Sequence, residues 1–274
     1  MKRPNRVREL LDEGRVPVGI EAMLGSPRVL EMIGWAGFDY VQLDMEHTPF
    51  DFEGIETQIR VAEGVGLTPI VRVSENDPHA ISRVLDAGAQ CVVVPQVRSA
   101  AEVRGALAAT CYAPRGTRGM CPVTRAAQYS DETWDEYLEW VQTELLLIPL
   151  IENAEALEDI EAICAIPEIR VVGFGSGDLG QSLGVGARGL SAPVVQEAFG
   201  RVARAARENG AVLRGMPVIG GDRQYAIRDL LAAGVGMITY DADALMFSRL
   251  CREIMSDLSA VLKEHATQPA AVMS

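Results

Sequence analysis

Two carboxylates and an imidazole occur together in the segment Asp44-Met45-Glu46-His47, which directly follows the predominantly apolar run 38–43. The chain has 3 histidines, and the other two, His79 and His265, have no such neighbours. Carboxylates at the end of a buried strand commonly position a histidine that transfers protons. The segment equally fits a simpler interpretation, in which Asp44 caps the next turn and His47 is an ordinary loop histidine.

Three further polar residues, Arg72, Glu152 and Asp178, follow other apolar runs. Arg72 fits either a structural ion pair or a substrate-binding role. Glu152 fits a cap of the helix that begins near Asn153, and Asp178 fits a turn, because glycines surround it. Alternatively, the two carboxylates hold a hard divalent ion such as Mg²⁺ or Mn²⁺, with water and a chelating substrate completing the coordination.

The glycines around Asp178 favour a second role for this segment. Small residues let backbone N–H groups approach an anion closely, so the run 173–180 predicts a binding site for a carboxylate or phosphate. The run has no G-x-G-x-x-G spacing, so it is a weak dinucleotide signature. The cysteines and histidines have no spacing typical of structural zinc.

Eight short apolar runs, each followed by a helical pattern, recur about every 25 to 35 residues and must position these side chains. The runs are continuously apolar, which is typical of parallel strands covered on both faces. The pattern predicts a (β/α)₈ TIM barrel, with a doubly wound sheet as the alternative. The predicted strands are Pro17–Ala22, Tyr40–Asp44, Pro69–Val73, Cys91–Pro95, Leu145–Ile151, Val171–Phe174, Val212–Met216 and Met237–Tyr240.

Composition limits the classes of function. The chain has 274 residues and a net charge of −13, which suits one barrel domain over residues 1–274 and disfavours nucleic acid. We expect residues 263–274 to form a flexible tail. The 5 cysteines include no C-x-x-C pair, and neither a signal peptide nor a membrane span is expected, so we predict a cytoplasmic protein.

Two segments lie outside the repeating pattern. Residues 112–129 form a long loop that the pattern places after the fourth strand, and long loops in compact domains are usually functional. Residues 244–262 carry apolar side chains at helical spacing beyond the eighth strand. This segment fits either the ordinary eighth helix of the barrel or a surface that contacts another subunit.

Seven segments together resemble the HpcH/HpaI aldolases, which are metal-dependent class II pyruvate aldolases. The resemblance runs from about residue 18 to residue 250, with the segments in the same order and at compatible spacing. The segments are FDYVQLDMEH (38–47), VRVSENDP (71–78), LDAGAQ (85–90), VPQV (94–97), YAPRGTRG (112–119), IEN (151–153) and GSGDLG (175–180).

The resemblance implies roles for the residues that bind substrate and metal. Glu152 and Asp178 correspond to the two protein ligands of a divalent metal, Mg²⁺ or Mn²⁺ with Co²⁺ as a further option. The metal binds a 2-oxo acid through its keto and carboxylate oxygens. Arg72 corresponds to the residue that contacts the keto oxygen and stabilises the enolate, and the amides of Gly177 and Asp178 hold the substrate carboxylate.

The resemblance also implies a base and an assembly. His47 corresponds to the residue that handles the proton of the substrate 4-hydroxyl, supported by Asp44 and Asp86. The expected assembly is a homo-oligomer, a hexamer in which the C-terminal helix is exchanged between neighbouring barrels. Where family members commonly carry Gln, Trp and Gly-Pro-Ala-Asp-Leu-Ser, this chain has Leu150, Glu75 and the segment 175–180.

The expected activity is that of a lyase that cleaves a 4-hydroxy-2-oxo acid to pyruvate and an aldehyde, or forms it in reverse. Decarboxylation of oxaloacetate is an alternative, because it passes through the same enolate and needs no aldehyde pocket. A catalytically silent barrel that binds a 2-oxo acid is a further alternative, although such a protein has no need of His47. The departures at Leu150 and Glu75 leave the aldehyde partner open.

Overall fold

Eight parallel strands close into a barrel in their order along the chain. The structure is a computed structural model, and it describes residues 4–217 and 223–267. The (β/α)₈ barrel is therefore confirmed, and the doubly wound alternative is wrong. The strands are β1 Val18–Ala22, β2 Tyr40–Asp44, β3 Thr68–Arg72, β4 Cys91–Val94, β5 Leu146–Ile151, β6 Val171–Phe174, β7 Val212–Gly215 and β8 Val235–Ala242.

Helices connect the strands, and local sequence sets several of their ends. The Asp77 side chain accepts a hydrogen bond from the N–H of Ala80 at 2.8 Å and so caps the helix that Pro78 begins. The helices are α1 Arg6–Asp12, α2 Pro27–Trp35, α3 Phe52–Gly64, α4 Pro78–Asp86, α5 Ala100–Thr110, α6 Trp134–Thr143, α7 Ala154–Glu158, α8 Ile160–Cys164, α9 Ser176–Ser182, α10 Pro193–Glu208, α11 Arg223–Ala232 and α12 Asp243–Thr267.

Apolar side chains pack on both faces of the strands. The outer cluster joins the strands to the helices, whereas the inner cluster fills the barrel from Tyr40 and from residues on β3 to β6. The Tyr40 ring lies against Gly19, where a Cβ atom would come within 2.4 Å of it, so the close approach requires glycine. The interior also contains buried polar residues at Glu21, Gln42 and Arg214.

The parallel arrangement puts all strand carboxyl ends at one rim of the barrel. Asp44 pairs with Arg72 across β2 and β3, and Ile151 pairs with Phe174 across β5 and β6. The residues that follow these strands therefore share one rim, as expected for the site of a barrel enzyme.

The loop at 112–129 lies at the opposite end of the barrel. It comes after the fourth strand, as the pattern predicts, but α5 lies between them and runs back from β4 towards the amino ends of the strands. Arg118 in this loop is buried and donates hydrogen bonds to Asp86 Oδ1 at 2.6 Å and to the Tyr137 hydroxyl at 2.8 Å. The loop thus packs on the end of α4, away from the rim.

The last helix, α12, leaves most of its length exposed. Nine of its large apolar side chains are between 41% and 64% exposed. Residues 263–267 of the predicted tail continue this helix, and residues 268–274 lie outside the described residues. Within residues 4–217 and 223–267, no helix is long and apolar enough to cross a membrane. The single domain over residues 1–274 stays a prediction.

Candidate active site at the carboxyl rim

Asp44 ends β2 with a fully buried side chain. Its carboxylate accepts hydrogen bonds from the N–H groups of Glu46 at 3.0 Å and His47 at 3.2 Å. It also accepts one from Arg72 Nε at 2.7 Å. Asp44 therefore caps the turn, as the simpler interpretation of this segment predicts, and binds the neighbouring guanidinium as well.

The Arg72 guanidinium lies among three carboxylates. Besides its bond to Asp44, Nη2 donates to Glu21 Oε1 at 3.0 Å, and Nη1 lies 3.3 Å from Glu46 Oε2. Burial lowers the pKa of Arg72, but the hydrogen bond to Asp44 and the charges of all three carboxylates outweigh burial and raise it. A planar, permanently charged group at this rim is suited to binding an oxyanion.

Glu152 follows β5 and is 2% exposed. Its Oε1 accepts a hydrogen bond from the backbone N–H of Gln96 at 2.7 Å. Gln96 has a φ of 53°, and such left-handed backbone in a residue other than glycine is often found at functional sites. On the other side, a Cβ atom at Gly175 would lie 2.8 Å from Glu152 Oε2. Gly175 thus leaves room around the second oxygen.

The rim concentrates negative charge. Burial raises the pKa of Glu152 to about 7, and the charges of Glu46 and Asp178 act in the same direction, whereas the Gln96 hydrogen bond and Arg72 oppose it. Burial likewise raises the pKa of Glu46, with Arg72 and His47 opposing. The negative charges of Glu46 and Asp178 thus disfavour ionisation of Glu152, and a cation at the rim would favour it.

A divalent metal fits this donor set. Glu152 Oε2 faces a space that only glycine leaves open, and Glu46 Oε2 is buried without a hydrogen-bond partner among the described residues. Carboxylate oxygens are the ligands that Mg²⁺ and Mn²⁺ prefer. Within the described ranges, no three His, Cys, Asp or Glu side chains are arranged to hold a metal. A metal here would therefore have few protein ligands and keep positions for water or substrate.

His47 lies at the solvent side of this cluster. Its side chain is 54% exposed, and its Nε2 is 3.6 Å from Glu46 Oε2. The backbone turn fixed by Asp44 sets the position of the imidazole. An accessible imidazole beside a carboxylate is suited to exchanging protons between a substrate and water.

The structure does not bring Asp86 to this rim. Asp86 ends α4, and α4 runs antiparallel to the strands, so the residue lies at the opposite end of the barrel, where its carboxylate binds Arg118. The chain therefore does not bring its own Asp86 and His47 together, and the support of His47 by Asp86 stays a prediction. Conversely, our site prediction missed Gln96 and Glu21. Gln96 contributes its backbone N–H group to Glu152, and the identity of its side chain gives no indication of this role.

A cavity of about 510 Å³ lies away from the rim and includes Arg60, Arg125 and Tyr129 in its lining. Arg60 forms an ion pair with Glu56, and Arg125 forms one with Glu63. The charges of both arginines are thus balanced within the chain, and none of the described lining residues belongs to the rim cluster. The rim is the better candidate for chemistry.

The closed parallel barrel, with acidic side chains and the Arg72 guanidinium at its carboxyl rim, has the architecture of a (β/α)₈-barrel enzyme. The chain belongs to the HpcH/HpaI aldolase/citrate lyase family, which it matches over residues 22–229. The family expected from the sequence segments is thus confirmed.

Named relatives agree with this membership. The chain is 38% identical over 175 residues to the 2-dehydro-3,6-dideoxy-6-sulfogluconate aldolase of Pseudomonas putida, covering 64% of this chain and 68% of that protein. It is 31% identical over 252 residues to the hydroxypyruvate/pyruvate aldolase of Pseudomonas aeruginosa, covering 91% of each. A crystal structure of a family member from Burkholderia cenocepacia J2315 has a TM-score of 0.85 at 28% identity, covering 93% of this chain and 99% of that one. The expected class, a carbon–carbon lyase of the aldolase type, is confirmed.

Proposed function

We propose that this chain cleaves the C3–C4 bond of a 4-hydroxy-2-oxo acid to give pyruvate and an aldehyde, and that it also catalyses the reverse addition. The observation that carries the proposal is the Arg72 guanidinium, which carboxylates fix at the rim beside Glu152. Cleavage leaves an enolate, and its oxyanion needs a preorganised positive charge in a site of limited solvent access. The aldolase names of the relatives support the same chemistry.

We propose Glu152 and Asp178 as the protein ligands of a divalent metal, Mg²⁺ or Mn²⁺ with Co²⁺ as a further option. The bound metal supplies Lewis-acid polarisation of the substrate carbonyl. Arg72 contacts the keto oxygen and stabilises the negative charge that develops there. The N–H groups of Gly177 and Asp178 lie in the first turn of α9, where they have no acceptor within the helix, and they bind the substrate carboxylate.

His47 serves the aldehyde half of the reaction. During cleavage the proton of the 4-hydroxyl moves to the His47 imidazole, directly or through a water molecule, while the C3–C4 bond breaks. In the direction of synthesis the imidazole returns that proton to the new hydroxyl. Asp44 holds the turn that carries His47, so it orients the base while binding Arg72.

Pyruvate release from a panel of 4-hydroxy-2-oxo acids tests this function. We expect release with Mg²⁺ or Mn²⁺, loss of release after chelation by EDTA, and recovery when the metal is returned. A panel that varies the length and charge of the aldehyde half identifies the natural partner. The proposal is contradicted if no panel member releases pyruvate and pyruvate itself shows no metal-dependent exchange of its methyl protons with solvent.

We further propose that α12 packs against a neighbouring copy of the chain, in a hexamer that exchanges this helix. Its exposed apolar side chains, among them Leu250, Ile254 and Leu258, support the proposal because a helix in water does not normally expose such a face along its length. We also place the protein in the cytoplasm, where its 5 free cysteines stay reduced.

A further inference from the structure

A chain of buried polar side chains crosses the barrel interior beneath Arg72. Arg214 on β7 donates from Nη1 to Gln42 Oε1, and Gln42 Nε2 donates to Glu21 Oε1 at 2.7 Å. The same Glu21 oxygen accepts from Arg72 Nη2 at 3.0 Å. Gln42 is 1% exposed, Arg214 8% and Glu21 9%. The reaction steps above give no role to Gln42 or Arg214, and Glu21 enters them only as an ion-pair partner of Arg72.

This polar chain is not explained by core packing. On β4 to β6 the interior is filled by apolar side chains such as Val93, Ile148 and Val171. Arg214 is instead buried in the same interior, and burial lowers the pKa of its guanidinium, with Tyr40 and Glu21 opposing. Burying polar and charged groups carries a cost that apolar side chains of similar size avoid. The arrangement therefore indicates a role in the site above it.

We propose that Glu21 is a positioning residue that fixes the Arg72 guanidinium for catalysis, and that Gln42 and Arg214 hold Glu21 in place. Asp44 binds Nε on one edge of the guanidinium, and Glu21 binds Nη2 on another. Two contacts on different nitrogens fix both the orientation of the guanidinium plane and the rotation of the group within that plane. N–H groups that neither carboxylate uses then remain for the substrate oxygen.

Loss of Glu21 leaves Arg72 bound on one side by Asp44 and free to turn towards Glu46, whose Oε2 is already 3.3 Å from Nη1. A displacement of about 1 Å in such a group costs about 10²-fold in rate. The inference rests on the proposed function, because it assigns to Arg72 the stabilisation of the enolate.

The test compares Glu21→Ala with Glu21→Gln in the Mg²⁺-loaded enzyme. Exchange of the pyruvate methyl protons for deuterium, followed by NMR, reports enolate formation without any aldehyde. We expect Glu21→Ala to lower kcat for exchange by roughly 10- to 100-fold with little change in KM. Glu21→Gln keeps most of the rate, because one amide oxygen accepts from both Gln42 and Arg72 as Oε1 does. Glu63→Ala, which breaks a Glu–Arg pair outside the site, serves as the control and stays at the wild-type rate.

A double-mutant cycle separates positioning from general damage. In an Arg72→Ala background, Glu21→Ala should cause no further loss, because Glu21 acts through Arg72. The same fold-loss in both backgrounds, or a wild-type rate for Glu21→Ala alone, overturns the proposal. If Glu21→Ala does not fold, Gln42→Met is the second variant. It removes the hydrogen bond from Gln42 to Glu21 but keeps the Glu21 carboxylate, so a smaller loss in kcat is expected. An unchanged rate for Gln42→Met overturns the role given to Gln42.

A structural readout keeps this inference distinct from the proposed function. Side-chain ¹⁵N NMR of Arg72 in the metal-free protein should show slow rotation of its Nη groups in the wild type and in Glu21→Gln, and fast rotation in Glu21→Ala. Identical rotation in all three proteins overturns the positioning role. A wild-type enzyme that exchanges no pyruvate protons contradicts the proposed function alone, and the Arg72 spectra still decide the inference.

Discussion

At the residue scale, His47 and Arg72 are expected to serve different parts of the reaction. His47→Ala should lower aldol cleavage by roughly 10²- to 10⁴-fold and leave most of any oxaloacetate decarboxylation, because that substrate has no 4-hydroxyl proton to remove. Arg72→Lys should lower the rate of both reactions, since both form the same enolate and lysine lacks the planar guanidinium group with its several N–H donors. Pyruvate release from the two substrates measures the difference. Equal losses for His47→Ala would contradict the division of roles.

Glu152 predicts a pH-dependent response to metal. Burial raises its pKa from 4.5 to about 7, with Glu46 and Asp178 adding to the rise and Arg72 opposing it. Because the folded protein binds this proton more tightly than the unfolded chain, protonated Glu152 adds to the free energy of unfolding. This contribution is fully present below about pH 4.5 and is lost as pH rises through about 7. A divalent ion then replaces the proton and balances the charge. We therefore expect Mg²⁺ to raise Tm more at about pH 8 than at about pH 6.

Thermal denaturation with and without Mg²⁺ measures this response. Glu152→Gln is the matched control, because it is uncharged at every pH and lacks an anionic ligand. Its Tm should respond weakly to Mg²⁺ and equally at both pH values. The same Mg²⁺ effect at both pH values in the wild-type protein would refute the role of Glu152.

Residue type and strand ends are enough to predict part of the site. Arg72 and Glu152 follow apolar runs, and a parallel barrel brings such positions to one rim. Gln96 acts through its main chain, so its side-chain type gives no signal. Glu21 lies within β1, and its sequence position does not show whether the side chain points into the barrel. Only the structure shows that it contacts the Arg72 guanidinium. Asp86 has a suitable side chain, but the direction of α4 carries it to the other end.

At the scale of elements, the connection from β6 to α9 makes room for Glu152. In Gly175→Ala the new methyl group would meet Glu152 Cβ at 2.7 Å and Oε2 at 2.8 Å. We expect this displacement to weaken Mg²⁺ affinity by about 10- to 100-fold, as other changes around metal ligands do. Isothermal titration with Mg²⁺ measures the loss.

Gly105→Ala on α5 is the control, because no atom lies within 4 Å of its added Cβ. Its Mg²⁺ affinity should equal that of the wild type. Unchanged affinity in Gly175→Ala would show that Glu152 does not need the space that glycine leaves.

The strands were predictable to within two residues at each end, because continuous apolar runs are a strong signal for a parallel sheet. The sequence predicts the loop at 112–129 after the fourth strand but not the end of the barrel at which it lies, because the alanine-rich α5 separates it from β4 and returns the chain to the opposite end. Local composition identifies a long loop, whereas the direction of the helix before it decides which end of the barrel it covers.

At the scale of the whole molecule, α12 predicts an assembly. Ile254→Glu combined with Leu258→Glu places two charges on the exposed apolar face, so we expect the mass measured by light scattering to fall towards that of one chain. Arg252→Glu changes charge at another exposed position of α12 and should leave the mass unchanged. A wild-type protein that is monomeric at micromolar concentration rejects the hexamer.

The bond between Arg214 and Gln42 has a consequence for how the barrel folds. Arg214 lies on β7 and Gln42 on β2, so their hydrogen bond spans the seam where β8 closes against β1. A half-barrel of β1 to β4 keeps the ion pair between Glu21 and Arg72 but leaves the Gln42 amide oxygen without its donor, and the complementary half contains the Arg214 guanidinium without its acceptor. Each unpaired polar group costs about 1–3 kcal/mol or more. Neither half is then a self-sufficient folding unit, and the eight strands are expected to fold and unfold as one cooperative body.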